Sequence, residues 1–81
     1  MFLITFHRNI DATLFSRKAK QWGSVSMRPV PRKLSSSCGT CVVFEIESED
    51  LPVEEISQLS FEKLFKVIKD GEEYELLLEN E

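Results

Sequence analysis

The fold depends on the stretch Phe61-Glu-Lys-Leu-Phe-Lys-Val-Ile-Lys-Asp-Gly-Glu-Glu-Tyr-Glu-Leu-Leu-Leu78. Its first half is compatible with either a helix or a strand. Four of its apolar residues have helical spacing, namely Phe61, Leu64, Phe65 and Ile68. A single helix continuing from the preceding segment would, however, bring Lys63 onto its buried stripe. Asp70-Gly71 is a strong hairpin signal, and apolar residues alternate with acids after it. We therefore predict a strand over 63–68 and a hairpin into a last strand over 74–78.

The first part of the chain predicts a strand and then a helix. The strand is indicated by apolar residues at every second position, Phe2, Ile4 and Phe6. The helix is indicated by apolar residues at helical spacing, Ala12, Phe15, Ala19 and Trp22. Asn9 or Asp11 is expected to cap this helix, and Gly23 is expected to end it.

The middle of the chain predicts two more strands and a short helix. Val25 and Met27 begin a strand that runs into Pro29, and alternation of Val42, Phe44 and Ile46 with acids indicates a half-buried strand. A short helix is expected from Pro52 to about Leu59. The order is then that of an α+β domain with a ferredoxin-like split βαβ arrangement (βαββαβ) and an extra C-terminal hairpin strand, all in a single domain over 1–81.

Composition and charge narrow the classes of function. The net charge of −4 disfavours a general nucleic-acid binder, which needs a basic surface. Seven Lys and Arg lie between Arg8 and Lys33 against the single acid Asp11, which is consistent with a functional basic rim or with an ordinary solvated surface. The apolar opening of the chain is interrupted at His7, too early for a signal peptide or a membrane span, so a cytoplasmic protein is expected.

The chemistry of this chain is expected in the loop Pro29-Val-Pro-Arg-Lys-Leu-Ser-Ser-Ser-Cys-Gly-Thr-Cys41, which contains both cysteines as a C-x-x-C motif. A reactive thiol needs exposure and stabilisation of its thiolate. The groups expected to stabilise the thiolate are the cations Arg32 and Lys33, with Arg28 or Arg8 as further candidates, and the hydroxyls of Ser35, Ser36 and Ser37. Gly39 is expected to permit a positive φ or close approach of a partner's backbone. Two cysteines and one histidine fall short of the usual four zinc ligands, so neither a metal nor a cofactor is expected.

The predicted topology brings this loop next to the end of the first strand. The first two strands are joined by a helical crossover and run in the same direction, so their ends lie at one end of the sheet. His7 is therefore expected beside the loop, either as a base or as an ordinary polar surface residue. Cys38 and Cys41 are both candidate reactive thiols, although Cys41 adjoins a strand and also fits the role of a small core residue.

These residues resemble the DUF3343 family of selenium or sulfur carrier-like proteins. The resemblance includes Thr5-Phe6, a helix opening with Ala12, the motif Pro29-x-Pro31-Arg32-x-Leu34-Ser35-Ser36-Ser37-Cys38-Gly39, and a compatible closing hairpin. It implies that Cys38 is the carrier thiol, with Arg32 and Gly39 as its motif neighbours. Cys41 departs from the family pattern, in which this position is often small and apolar.

Two functions follow as expectations, beside the plainer alternative of a metal-binding or interaction module. In the first, Cys38 accepts sulfur or selenium from a donor protein as a persulfide or selenide and passes it to an acceptor protein. In the second, the chain is a thiol-disulfide oxidoreductase or redox switch, in which Cys38 attacks and Cys41 resolves the mixed disulfide. The first function needs only Cys38, whereas the second needs both cysteines.

Overall fold

A computed structural model describes residues 1–34, 36–47 and 50–80 of the chain. Along the chain, the elements are β1 (Phe2–Thr5), α1 (Asn9–Ala19), β2 (Val25–Pro29), β3 (Thr40–Phe44), α2 (Val53–Ser57), β4 (Lys63–Ile68) and β5 (Glu73–Glu79), with a 3₁₀ turn (Lys69–Gly71) between the last two strands. Within the described ranges, no helix has both the length and the apolar character needed to cross a membrane.

The strands form one antiparallel sheet in the order β2-β3-β1-β4-β5, which confirms the predicted α+β class. β1 is central and pairs with both β3 and β4. β1 and β2 are each antiparallel to β3, so these two strands run in the same direction and end on the same side of the sheet. This arrangement brings the loop after β2 to the end of β1.

One face of the sheet, here called the helix face, carries the larger core. Aromatic rings pack at its centre, where Phe44 stacks on Phe2 with ring centroids 5.5 Å apart and meets Phe15 of α1 edge-on at 5.2 Å. The residues buried in this core are Ile4, Phe6, Ala12, Phe15, Ala19, Val42, Phe44, Ile56, Phe61 and Leu64. Both helices contribute to it, α1 through Ala12, Phe15 and Ala19, and α2 through Ile56.

The opposite face, here called the loop face, carries a smaller core. Its buried residues are Leu3, Cys41, Val43 and Phe65. Val30 and Leu34 from the loop between β2 and β3 pack against them, as do Val67 and Tyr74. The prediction that β3 is half-buried was therefore wrong, because this loop covers the face that the sequence pattern left open to solvent.

The stretch over 61–78, whose first half is compatible with a helix or a strand, forms β4 and a hairpin into β5. β4 has the predicted bounds, and the turn after it uses two left-handed residues, Lys69 at φ 52° and Gly71 at φ 94°. A register shift between Leu64 and Phe65 turns Leu78 toward the helix face, whereas Tyr74 packs on the loop face. Pairing with β1 on one side and β5 on the other satisfies the backbone of β4, which favours the strand over the helix.

The ends of α1 differ from the prediction. Arg8 is the N-cap residue and gives no side-chain capping hydrogen bond, while Asp11 pairs with Arg8 at 3.1 Å. The helix ends at Ala19, four residues before Gly23. Gly23 is needed for another reason: a Cβ there would lie 2.2 Å from the carbonyl oxygen of Glu45. Close approach to the chain after β3, and not a helix end, accounts for this glycine.

Candidate functional site

The loop between β2 and β3 (residues 30–39), here called the thiol loop, touches both faces of the sheet. Its first part lies on the loop face, where Val30 and Leu34 pack and the Leu34 N–H donates to the Pro31 carbonyl in a tight turn. Lys33, within this turn, donates to the carbonyl of Glu72 beyond β4. Apolar packing and the hydrogen bond from the Lys33 ammonium to the Glu72 carbonyl thus hold the first half of the loop across the sheet.

The second part of the thiol loop returns to the end of β1. The Ser36 hydroxyl donates to the Phe6 carbonyl at 3.0 Å, and the Ser37 hydroxyl lies 3.4 Å from His7 Nδ1. The prediction that the loop lies beside His7 is confirmed by these contacts. Ser35, the first of the three predicted serines, lies outside the described residues.

Cys38 is a partly buried free thiol on the helix face. It packs against the larger core, and its thiol donates to the Thr40 carbonyl at 3.4 Å. The next residue, Gly39, adopts φ +74°, and apart from Gly39 and its two chain neighbours no atom lies within 4 Å of the position of a Cβ there. The backbone beside Cys38 therefore faces open space on the side of Gly39 and has a conformation that side-chain-bearing residues rarely adopt.

Cys41 has a different environment, since it lies within β3 and is fully buried on the loop face. Its thiol points to the Pro29 carbonyl at 3.7 Å. Burial raises the pKa of the Cys41 thiol from 9.0 to about 11, against a lowering by the Arg28 guanidinium, and the neighbouring Cys38 also raises this pKa. Cys41 is therefore a neutral, poorly nucleophilic thiol near neutral pH.

The two cysteines pack against different cores, Cys38 against the helix-face core and Cys41 in the loop-face core. Both are free thiols. β3 begins at Thr40, and strand pairing with Thr5 of β1 and Arg28 of β2 holds Cys41 in register.

Other predicted site residues are distributed unevenly around Cys38. Ser36, Ser37 and Gly39 lie in the same part of the loop. Arg32 is exposed in the turn on the loop face, and it makes no ion pair or hydrogen bond within the described ranges. The cation that acts on a cysteine is Arg28, paired with Cys41 across β2 and β3.

Glu62 is a member of this site that the sequence did not indicate. Its carboxylate accepts from the Ser37 hydroxyl at 3.1 Å and from the Ser37 N–H at 3.4 Å, and it lies 3.6 Å from His7 Nδ1. We call the three side chains His7, Ser37 and Glu62 the Glu62 clasp. Its only sequence signal is position, since Glu62 directly precedes the strand that pairs with β1.

The described residues contain no group of three or more His, Cys, Asp or Glu side chains arranged to hold a metal ion. The chemical resources of the site are thus a partly buried thiol, serine hydroxyls and the His7–Glu62 pair.

Comparison with known proteins gives one match. The sequence model of the family described as "Putative Se/S carrier protein-like" matches residues 1–67, which include the whole thiol loop and Glu62. Comparison with curated proteins and with solved structures found no significant match.

Proposed function

The chain belongs to this Se/S carrier protein-like family, and from that premise we propose that it carries sulfur or selenium covalently on Cys38. The observation that supports Cys38 most strongly is the contrast between the two thiols. Cys38 lies at the surface end of the thiol loop beside the open space at Gly39, whereas Cys41 is fully buried with a raised pKa. A carrier thiol has to meet a partner protein, and of the two only Cys38 has that access.

The proposed transfer is a sulfur exchange that needs no other reactant. The Cys38 thiol loses its proton to solvent, and the thiolate attacks the outer sulfur of a donor persulfide. A new S–S bond to Cys38 forms as the donor S–S bond breaks, and the donor leaves as a thiolate. An acceptor thiolate then attacks the outer sulfur on Cys38 in the same way, and the Cys38 thiolate is released.

Ser36 and Ser37 directly precede Cys38 in the chain, and their hydroxyls donate to the Phe6 carbonyl and to the Glu62 carboxylate. Because each hydroxyl has one proton to donate, stabilisation of an anionic sulfur on Cys38 requires it to exchange its present acceptor for the sulfur. We infer that Arg32 serves the partner and not the resting thiol, because it is exposed and makes no ion pair or hydrogen bond within the described ranges. An exposed, unpaired guanidinium is suited to an acidic group on an incoming protein.

Three further inferences belong to the same proposal. The partners are a sulfur or selenium donor protein and an acceptor protein, and the compartment is the cytoplasm, where free thiols stay reduced. The fold is ferredoxin-like, an inference supported by the strand order β2-β3-β1-β4 with helices after β1 and β3. In that description β5 is an added edge strand.

The test is to incubate the chain with a cysteine desulfurase and sulfur-labelled cysteine, and to measure label on the wild type, Cys38→Ser and Cys41→Ser. We expect loading of the wild type and of Cys41→Ser, and complete loss of loading in Cys38→Ser. The serine at position 41 is a matched control, because its hydroxyl keeps a donor for the Pro29 carbonyl.

The proposal is overturned if the wild type takes up no label. If the wild type instead reduces disulfides, and either cysteine substitution abolishes that activity, the redox function replaces the carrier function. Loading that depends on Cys41 and not on Cys38 would also contradict the assignment of the carrier thiol.

A further inference from the structure

The backbone next to Glu62 is held firmly at the end of β1. Thr5 is fully buried, and its hydroxyl accepts from the Lys63 N–H at 3.1 Å and donates to the Lys63 carbonyl at 3.4 Å. The Glu62 N–H donates to the Thr5 carbonyl at 2.7 Å. On its other side, the Glu62 carbonyl accepts from the Asn80 N–H at 2.9 Å. Glu62 therefore projects its carboxylate from a rigid part of the sheet.

After Cys38, the thiol loop is held by the Gly39 carbonyl, which accepts from the Val30 N–H at 3.0 Å, and before Cys38 it is held through two serine residues. Ser36 and Ser37 attach it to the sheet by the bond to the Phe6 carbonyl and by the clasp. Glu62 accepts both the N–H and the hydroxyl of Ser37, the residue directly before Cys38. The Glu62 side chain is 17% exposed, so water competes only partly for its oxygens. The clasp is thus the charged contact nearest in sequence to the thiol.

We propose that Glu62 is a positioning residue that holds Cys38 in its partly buried place and thereby limits the access of small thiols to the sulfur that Cys38 carries. This proposal rests on the proposed carrier function. A persulfide on a fully exposed thiol is open to reduction by any small thiol, whereas a held loop admits only a partner that opens it. Gly39, with its left-handed backbone and surrounding space, is a suitable pivot for that opening.

His7 contributes to the clasp as a second contact. Its Nδ1 lies within reach of both the Ser37 hydroxyl and the Glu62 carboxylate, at 3.4 and 3.6 Å. Because His7 directly follows the Phe6 carbonyl that accepts from Ser36, the end of β1 contacts two consecutive serines. Opening the loop then requires these contacts to break together.

The test measures the rate at which a small neutral alkylating agent, iodoacetamide, modifies Cys38 in a Cys41→Ser background. Glu62→Ala should raise this rate about three- to tenfold, the range expected for the net loss of an ordinary hydrogen bond, because the Ser37 bonds to Glu62 are exposed to solvent. Glu62→Gln keeps one acceptor oxygen and should fall between Glu62→Ala and the parent. Ser37→Ala removes one of the two bonds without changing charge, and it should resemble Glu62→Gln.

Two controls separate positioning from general electrostatics and from loss of stability. Glu79→Ala removes a carboxylate that lies 3.8 Å from the Lys63 ammonium and, among the described residues, has no hydrogen bond or ion pair with the thiol loop, so the Cys38 rate should not change. Hydrogen exchange at the Ser37 N–H, the donor to Glu62, should be faster in Glu62→Ala and unchanged in Glu79→Ala. Circular dichroism checks that each variant is folded.

Rates within twofold of the parent for both Glu62→Ala and Ser37→Ala would overturn the proposal. So would a Glu62→Ala/Ser37→Ala double variant whose increase is the product of the single increases, because residues that act through one contact are not additive. If Glu62→Ala fails to fold, the alkylation rates of Ser37→Ala and Glu62→Gln are judged by the same twofold criterion. Since alkylation needs no sulfur donor, failure here is distinguishable from failure of the carrier function.

Discussion

The clearest expectation is that Cys38 is alkylated much faster than Cys41 in the folded chain near neutral pH. The magnitude follows from the environment of Cys41. A pKa raised from 9.0 to about 11 reduces the thiolate fraction about a hundredfold relative to an ordinary thiol, since each unit is a factor of ten. The side chain is also 0% exposed, so the reagent reaches it only after local opening. Because the thiolate of a higher-pKa thiol is also more nucleophilic, the net effect of this pKa on the rate is about tenfold. Burial adds to it, so we expect a ratio of at least about ten for Cys38 over Cys41.

The assay is a time course with iodoacetamide on the single-cysteine variants Cys41→Ser and Cys38→Ser. Separate variants are needed because trypsin leaves both cysteines in one peptide, from Leu34 to Lys63. The same measurement in denaturant is the control, and there the two rates should become similar. A ratio below about three in the folded chain, or a faster Cys41, would refute the assignment of Cys41 as a buried neutral thiol.

Two further predictions concern stability. Because the pKa of Cys41 is higher in the folded than in the unfolded chain, the unfolded chain loses the Cys41 proton first as pH rises, and the free energy of unfolding, constant below about pH 9, falls by about 2–3 kcal/mol toward pH 11. Urea unfolding across this range should show that fall in the wild type, and an equal fall in Cys41→Ser would contradict it. Gly23→Ala should destabilise the chain by about 2–3 kcal/mol, because its Cβ would lie 2.2 Å from the Glu45 carbonyl oxygen and backbone has to shift; an unchanged urea midpoint would show that the chain relaxes without cost.

Local patterns predicted most of the regular structure. The mismatch of Lys63 with a continued helix, together with the Asp70-Gly71 turn, predicted the bounds of β4, and the apolar spacing through Ala12 and Phe15 predicted α1. The end of α1 was predicted less well, because Trp22 continues the helical spacing while the chain already turns at Ala19. Trp22 nevertheless packs against the helix-face core, so its apolar character correctly indicated contact with the core, although Trp22 lies outside α1.

The candidate site was predicted in part. The position of Cys38 in a loop beside His7 followed from chain direction, since a helical crossover leaves β1 and β2 running the same way. Ser36 and Ser37 lie where expected, but as contacts to Phe6 and Glu62. The use of Glu62 could not be predicted, because an acid before a strand is common and reveals nothing about its partner.

By itself, the sequence determined the element types and the loop that holds both thiols, because these depend on residues close together in the chain. Only the tertiary structure decided which thiol is buried and what restrains the other. Cys41 is buried because Val30 and Leu34 fold across the loop face. Ser37 meets Glu62, 25 residues further along the chain, because β1 and β4 pair in a register set by the whole sheet. Such contacts depend on the path of the loop and the pairing of distant strands, which no short stretch of sequence specifies.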